Sequence, residues 1–213
     1  MINLITIERE YGSGGGIIAR KLAERLGWTL WDEDLTNEIA RAMGLARNEI
    51  ELREERRDPL YYRWLKSFML GTFEGNPHAV ETRVLDADTI YAVTKKLMAR
   101  LSQNQHSVII GRGGAYFMQD RPDAYHVFVY APSEDKIRRL EQSGKSAAEA
   151  KELVASVDEE RAAFIKKYFN LQWPRLSRYH LMINSHIGEE AVVDMILAGI
   201  ALVEKPPPVV SRN

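Results

Sequence analysis

Four glycines lie within five residues near the N-terminus, in the segment REYGSGGG at residues 9–16. Glycine adopts left-handed backbone angles readily and, because it has no Cβ atom, lets a ligand approach the main chain closely. The helical pattern that follows would direct free N–H groups and the positive end of its dipole at the same place. A turn kept tight for packing is the alternative, although four glycines exceed what such a turn requires. The pattern favours an anion cradle, built by Gly12, Ser13, Gly14, Gly15 and Gly16.

Two arginines are placed to add positive charge to such a cradle. Arg9 opens the glycine segment, and its planar guanidinium could bind a phosphate through two hydrogen bonds. A surface ion pair with Glu8 or Glu10 is the alternative for Arg9. Arg112 lies between glycines directly after a buried-type strand, in the segment IIGRGG. Ligands of open α/β sheets bind at the carboxyl ends of the strands, so Arg112 is a candidate for a substrate phosphate, with a structural ion pair as the alternative.

A second charged pair lies in the C-terminal half of the chain. Asp158 and Arg161 are three residues apart in a charged helical stretch, so they share one face of the helix. On spacing alone, a plain surface pair between Asp158 and Arg161 accounts for this pattern.

Metal ligands are harder to assign than the positively charged side chains. Asp32 follows a short predicted strand and could contact substrate or bind Mg²⁺ through water, although acids at the start of a helix are more often caps. The five histidines show no spacing typical of a metal site, and the chain has no cysteine. The sequence therefore assigns no metal ligand.

Strands and helices are predicted to alternate along the chain, and these elements must position the charged side chains. Predicted strands lie in INLITIE, WTLW, HSVII, AYHVFVY and YHLMINS. Helices are predicted at 17–26, 32–43, 80–101, 146–168 and 188–203. This alternation implies a three-layer α/β fold, in which a parallel sheet of about five strands is covered by helices on both faces.

Two local predictions concern helix ends and helix faces. Ser133 is placed to cap the helix that follows AYHVFVY. In the last helix, Val192, Met195 or Ile196, and Val203 recur at helical spacing and should face inward.

The composition is ordinary for a soluble globular protein, with 45% hydrophobic and 28% charged residues in a chain of 213. The formal net charge is −1, which gives no basic field to attract nucleic acid. The most apolar stretch, VVDMILAGIALV, is too short and too polar to span a bilayer, and the N-terminus has no signal-peptide pattern. We expect a cytoplasmic protein with one domain at residues 1–204 and a loose Pro-rich tail at 205–213.

Four segments, in order, carry a family resemblance: ITIEREYGSGGGIIARKLAERLGW, IIGRGGAYFM, VFVYAPSEDKIRRL and VDEERAAFIKKYFNLQWPRLSRYHLMINS. The chain resembles the cytidylate kinase-like branch of the P-loop nucleoside monophosphate kinases. This resemblance implies a P-loop fold with a helical substrate lobe at about 45–79 and a lid at about 144–170. It also implies phosphoryl transfer from ATP, with Mg²⁺, to a nucleoside monophosphate, and CMP is the best guess for the acceptor.

The glycine loop departs from the ordinary kinase pattern G-x-x-x-x-G-K-S/T. Arg9 stands in place of the first Gly, Gly15 in place of the Lys and Gly16 in place of the Ser or Thr. The Lys and Ser/Thr side chains normally hold the β- and γ-phosphates and the Mg²⁺. In the second turn Arg112 matches the substrate-binding Arg of the family's GRD, whereas Gly113 replaces the acid.

Other positions keep the family pattern. Asp158 and Arg161 match its D-x-x-R, whose Arg reaches the transferring phosphoryl group, and Asp32 matches an Asp after the second strand. The resemblance thus implies catalytic roles for Arg161, Arg112 and Asp158, and substrate contacts for Asp32 and Arg112.

Two rival functions stay open. One is a nucleotide- or phosphate-binding module of the same fold that is catalytically impaired. The other is an assembly protein in which the aromatic segment at 60–73 forms a homodimer.

Overall fold

The computed structural model describes residues 1–32, 87–101, 103 and 106–204. The strands are β1 (Leu4–Arg9), β2 (Thr29–Trp31), β3 (Ser107–Ile110), β4 (Ala124–Tyr130) and β5 (Leu181–Asn184). The helices are α1 (Gly15–Leu26), α2 (Ala87–Leu101), α3 (Gly114–Phe117), α4 (Ser133–Gln142), α5 (Ala147–Phe169) and α6 (Glu189–Glu204). Two 3₁₀ turns, Leu176–Arg178 and Ser185–Ile187, flank β5. The predicted substrate lobe, the aromatic segment at 60–73 and the tail at 205–213 lie outside the described residues.

The five strands form one parallel sheet in the order β2-β3-β1-β4-β5. The first strand of the chain is therefore the central one. Ile7 pairs with Ile110 of β3 on one side and with Val127 of β4 on the other. The prediction of a parallel sheet with about five strands is confirmed.

Helices cover both faces of the sheet and divide the core into layers. On one face, Ile5 and Ile7 pack with Ile18 and Leu22 of α1 and with Val192 of α6. On the other face a separate cluster joins β1 and β3 to α2 and the turn after α3. Its buried members include Leu4, Met98, Leu101, Ile109 and Met118.

Side chains alternate between the two faces of the sheet along β1, and this decides on which face Glu8 and Arg9 lie. Successive residues of a strand face opposite sides of the sheet, and Ile5 and Ile7 face α1. Arg9 lies on the same face of the sheet as Ile5 and Ile7, and it packs beside Gly15 of α1. Glu8 lies on the opposite face and interacts with the backbone N–H groups that begin α3. Two charged side chains are thus buried at the carboxyl end of the central strand, on its two faces.

Three local predictions need correction. Helix α1 begins at Gly15 and not at Ile17, because Gly14, with φ 77°, ends the loop as the N-cap. The N-cap of α4 is Pro132, so Ser133 already lies inside the helix and its side chain makes no capping hydrogen bond. In α6, Val192 and Ile196 are buried as predicted, but Val203 is 55% exposed. Val203 therefore lies on the solvent-facing side of the last turn of α6.

The structure also bears on membrane insertion. Among the residues it describes, no helix combines the length and the apolar character that crossing a bilayer requires.

Candidate functional site

The glycine segment forms a compact loop between β1 and α1. Gly12 and Gly14 take left-handed angles, with φ 76° and 77°. Ser13 N–H donates to the Glu10 carbonyl, and Ile18 N–H donates to the Gly14 carbonyl to begin the helix. The first N–H groups of an α-helix have no partner within it, so the first turn of α1 offers donors at this place. Of the predicted cradle amides, that of Ser13 is engaged within the loop itself.

The carbonyl groups of the loop are tied to neighbouring elements. Arg139 of α4 donates to the Gly12 carbonyl at 3.3 Å and to the Ser185 carbonyl at 3.2 Å. Ser185 Oγ donates to the Ser13 carbonyl at 2.6 Å. A Cβ atom on Gly12 would lie 3.0 Å from Lys136 Cβ, so α4 packs directly against the loop. These contacts engage carbonyl oxygens of the loop and none of its N–H groups. This arrangement suits a loop whose N–H groups bind an anion.

Three arginines converge at the carboxyl edge of the sheet. Arg9 and Arg112 are each 6% exposed, and the Arg161 side chain is 13% exposed. Burial, and after it the charge of Arg161, lowers the pKa of Arg9 to about 9. Burial lowers the pKa of Arg112 to about 10, and the positive charge of Arg161 acts in the same direction. Arg9 and Arg112 therefore remain charged near neutral pH, and together with Arg161 they put a high density of positive charge away from water.

Two carboxylates partly balance these cations. Glu8 is buried, and burial raises its pKa, opposed by Arg9, Arg161 and the N–H groups of Ala115 and Gly114. The carboxylate of Asp32, which is 8% exposed, raises the pKa of both Arg112 and Arg9. The structure therefore brings Asp32 into the same electrostatic cluster as Arg9 and Arg112.

Asp158 and Arg161 bind the glycine loop. Asp158 Oδ1 accepts the Tyr11 N–H at 2.9 Å and pairs with Arg161 Nη1 at 3.0 Å. The same Nη1 donates to the Arg9 carbonyl at 2.8 Å, and the Arg161 guanidinium carbon lies 5.9 Å from the centre of the Tyr11 ring. Burial raises the pKa of Asp158, against the opposite effect of Arg161. A plain surface pair is therefore the wrong interpretation, because α5 is fastened to the loop.

Sequence reasoning missed Lys136, which completes this attachment. Its Nζ lies 2.6 Å from Glu10 Oε2 and 3.8 Å from Asp158 Oδ2, and its side chain is 8% exposed. Lys136 and Arg139 stand three residues apart in SEDKIRRL, directly after β4. This helical spacing puts them on one face, and it was the signal that could have identified both residues. For Glu8, the sequence offers only an ion pair with Arg9, and not its place in the arginine cluster.

The residues of the site fit an anionic ligand. Among the described residues, Arg9 Nη2 and Ser13 Oγ are buried without a hydrogen-bond partner. Buried polar groups normally have partners, and leaving one without costs free energy. Phosphate oxygens would satisfy both donors. For a metal the described part of the chain offers less, since it has no group of three or more His, Asp or Glu side chains that could hold an ion.

The parallel sheet, the glycine loop after its central strand and the arginines at its carboxyl edge are the features of a P-loop kinase. Residues 4–187 match the cytidylate kinase-like family, and the chain belongs to it. No curated protein sequence matches the chain.

Solved structures share the fold over nearly the whole chain. An uncharacterized protein from Eubacterium ventriosum is 22% identical, with a TM-score of 0.64 and coverage of 95% of this chain and 99% of that one. Shikimate kinase from Acinetobacter baumannii, in complex with shikimate, is 14% identical, with a TM-score of 0.55 and 97% of each chain covered. Shikimate kinase from Bacteroides thetaiotaomicron is 14% identical, with a TM-score of 0.54 and coverage of 94% and 99%. At these identities the likeness shows the fold.

Proposed function

We propose that the protein transfers a phosphoryl group from ATP to a small acceptor, with CMP as the best guess. The observation that carries this proposal is the burial of Arg9, Arg112 and Arg161 around the carboxyl end of the central strand, beside the glycine loop. Phosphoryl transfer depends on positioning and on positive charge around the moving group, and this cluster supplies both. Membership of a kinase-like family supports the same reaction class.

Each side chain has a place in this proposal. The backbone N–H groups of residues 12–16, apart from that of Ser13, would bind the donor phosphates, and Ser13 would add its buried hydroxyl. Arg112 would bind the anionic group of the acceptor. Arg161 would neutralise charge on the moving phosphoryl group, and Asp158 would orient Arg161. A Mg²⁺ ion would be held mainly by the nucleotide phosphates, with Asp32 as a candidate ligand through water.

A second acceptor class is favoured by a specific observation. A monophosphate is already an anionic nucleophile, whereas a hydroxyl acceptor benefits from a nearby carboxylate that accepts its proton. Glu8 and Asp32 are both buried beside the arginine cluster. A small hydroxy acid, such as the shikimate that one of the structural neighbours binds, is therefore the alternative acceptor.

The rival from another class is a binding module without turnover. It is supported by Gly15 and Gly16, which carry neither the cation nor the hydroxyl of an ordinary loop. In this case ATP would bind to the loop and no product would form.

One experiment separates these functions. The protein is incubated with ATP and Mg²⁺ and, in turn, CMP, the other nucleoside monophosphates and a set of small hydroxy acids, and ADP is measured by an assay sensitive to slow rates. ADP formation that depends on CMP or another monophosphate supports the main proposal, and dependence on a hydroxy acid supports the alternative acceptor. ATP binding by calorimetry without ADP from any acceptor supports the binding module and contradicts the kinase.

Three broader expectations belong to the same proposal. Residues 1–204 would form one domain, in which 144–170 act as a lid. The protein would work in the cytoplasm without a nucleic-acid partner. A homodimer through 60–73 would be compatible with this function, and sedimentation at several concentrations would detect it.

A further inference from the structure

The Arg9 side chain occupies the space where a side chain at position 15 would begin. A Cβ atom on Gly15 would lie 2.7 Å from Arg9 Cβ and 2.8 Å from Arg9 Cγ. These distances are far below the contact distance of two carbon atoms. Arg9 Cβ is fixed to the end of β1, so rotation of the Arg9 side chain cannot relieve the first clash. A side chain at residue 15 would therefore force the backbone of β1 or α1 to shift as long as residue 9 carries a Cβ atom.

Two of the three departures from the ordinary loop, at Arg9 and Gly15, are thus one structural exchange. The usual pattern has glycine at the position of Arg9 and lysine at the position of Gly15. Here the long cationic side chain comes from the strand and the glycine from the helix. The start of the Arg9 side chain fills the space in which a lysine at position 15 would begin.

The far end of Arg9 reaches the second glycine turn. A Cβ atom on Gly111 would lie 1.8 Å from Arg9 Nη1, and Gly111 has φ +65°, which side chains rarely adopt. The Arg9 side chain therefore runs from the start of α1 to the turn that carries Arg112. Its guanidinium lies between the two turns that the proposed donor and acceptor would use.

The surroundings of Arg9 suit an oxyanion ligand. Burial and two neighbouring arginines act against the Arg9 charge, while Glu8 and Asp32 support it. Arg9 Nη2 is buried, and the described part of the chain gives it no hydrogen-bond partner. Arg161 Nη1 donates to the carbonyl of the same residue, so a second cation is anchored here. A phosphate chain would satisfy Nη2 and balance the excess positive charge.

We propose that Arg9 replaces the absent loop lysine and binds the terminal phosphates of the donor, and that Gly15 and Gly111 are glycines because Arg9 fills their side-chain space. This inference rests on the proposed function, since the ligand is the phosphate chain of a nucleoside triphosphate. The alternative is that Arg9 is a structural counter-ion of Glu8 and Asp32 that contacts no ligand.

Binding measurements on a neutral variant test the ligand role. Arg9→Met keeps most of the side-chain volume and removes the charge, and Arg20→Met makes the same change at an exposed residue of α1. Calorimetry with ATP and with inorganic tripolyphosphate should show binding weakened roughly 10- to 100-fold in Arg9→Met, the range for loss of a charged hydrogen bond, and unchanged in Arg20→Met. Thermal unfolding without ligand shows that both variants fold.

A double substitution tests the exchange itself. Gly15→Lys alone should lower the midpoint of thermal unfolding because of the clash with Arg9. Arg9→Gly together with Gly15→Lys restores the Gly and the Lys of the ordinary loop, and it should recover both the unfolding midpoint and tripolyphosphate binding relative to either single variant. A Gly15→Lys variant as stable as the wild type would contradict the exchange.

The possible results distinguish a failure of this inference from a failure of the proposed function. Wild-type protein that binds ATP while Arg9→Met binds it equally well overturns the inference alone. Wild-type protein that binds neither ATP nor tripolyphosphate overturns the proposed function and the inference with it.

Discussion

Arg161 links α5 to the glycine loop through one nitrogen of its guanidinium. Its Nη1 donates to both Asp158 Oδ1 and the Arg9 carbonyl, and the guanidinium carries further N–H donors. Arg161→Ala should lower kcat for ADP formation about 100-fold or more, the range for removal of a key charge contact in the transition state. Steady-state kinetics with ATP, Mg²⁺ and the best acceptor measures this. Lys151→Ala, at an exposed position of the same helix, is the matched control. Equal kcat values for Arg161→Ala and the control would show that Arg161 has no role in the reaction.

Asp158 is a positioning residue that acts through Arg161. Asp158→Asn removes the charge that holds Arg161 but keeps an acceptor for the Tyr11 N–H. If both side chains act as one unit, their effects on kcat are not additive. Asp158→Asn combined with Arg161→Ala should then be no slower than Arg161→Ala alone. A further tenfold drop in the double variant would show that Asp158 acts independently.

At the residue scale, the sequence offers candidate side chains but not their environment. The glycines, Arg112 and the D-x-x-R pair can be proposed as candidates because their spacing is local. The burial of Arg9 was left open, since arginine is mostly an exposed residue and only tertiary packing puts it inside. The role of Lys136 depends on Glu10 and Asp158, which are distant in the chain, and no local pattern encodes that contact.

One of the contacts that join α4, α5 and the loop is a cation shared between two carboxylates. Lys136 pairs with Glu10 and approaches Asp158, and both carboxylates would lose this charge in Lys136→Met. We expect the free energy of unfolding to fall by about 1–3 kcal/mol, less than for a fully buried pair because Glu10 is partly exposed. Urea unfolding measures this change, with Lys95→Met on the exposed side of α2 as the control. Equal stability of both variants would mean that the ion pairs contribute nothing.

The existence and type of the strands and of the longer helices were predictable, whereas their ends and the four-residue helix α3 were not. Hydrophobic periodicity identified β1, α1 and α6, because it reflects which face is buried. The start of α4 depends on backbone angles: Pro132, with φ −55° and ψ 144°, is already the N-cap, so Ser133 comes one residue too late. Such boundaries follow from the path of the chain out of β4, which the pattern of residue types does not contain.

The stability of the whole molecule should depend on pH through His126. Its Nδ1 lies 2.7 Å from Thr6 Oγ1 between the central strands. Burial first, and then the charges of His180 and Arg178, lower its pKa to about 4, while the Met118 backbone opposes them. The unfolded chain therefore takes up a proton as the pH falls below about 6.5, whereas the folded protein does so only near 4. Stability should fall across this window, by about 2 kcal/mol at pH 5.

Urea unfolding at pH 7 and pH 5 measures this loss. His126→Asn retains hydrogen-bonding groups without the proton site and should reduce the pH dependence. His106→Asn is the control, because His106 is exposed and its φ of 60° is one that asparagine tolerates. If the wild type and His126→Asn lose equal stability between the two pH values, His126 is not the titrating group.

The order of the strands was beyond sequence reasoning. Alternating strands and helices predicted the layers, because each helix must cover a sheet face. They did not predict that β1 lies between β3 and β4, since that depends on which distant segments pair.

This placement has a consequence for how the polypeptide is made. Leu4 pairs with Ser107 and with Ala124, so in the described part of the chain β1 has no strand neighbour until residue 107 has been synthesised. Until then its apolar stretch and the adjoining glycines lack these partners. Strand pairs this far apart in the sequence form slowly and leave apolar surface exposed until they form. Protection of β1 in the nascent chain by a chaperone should therefore favour correct folding.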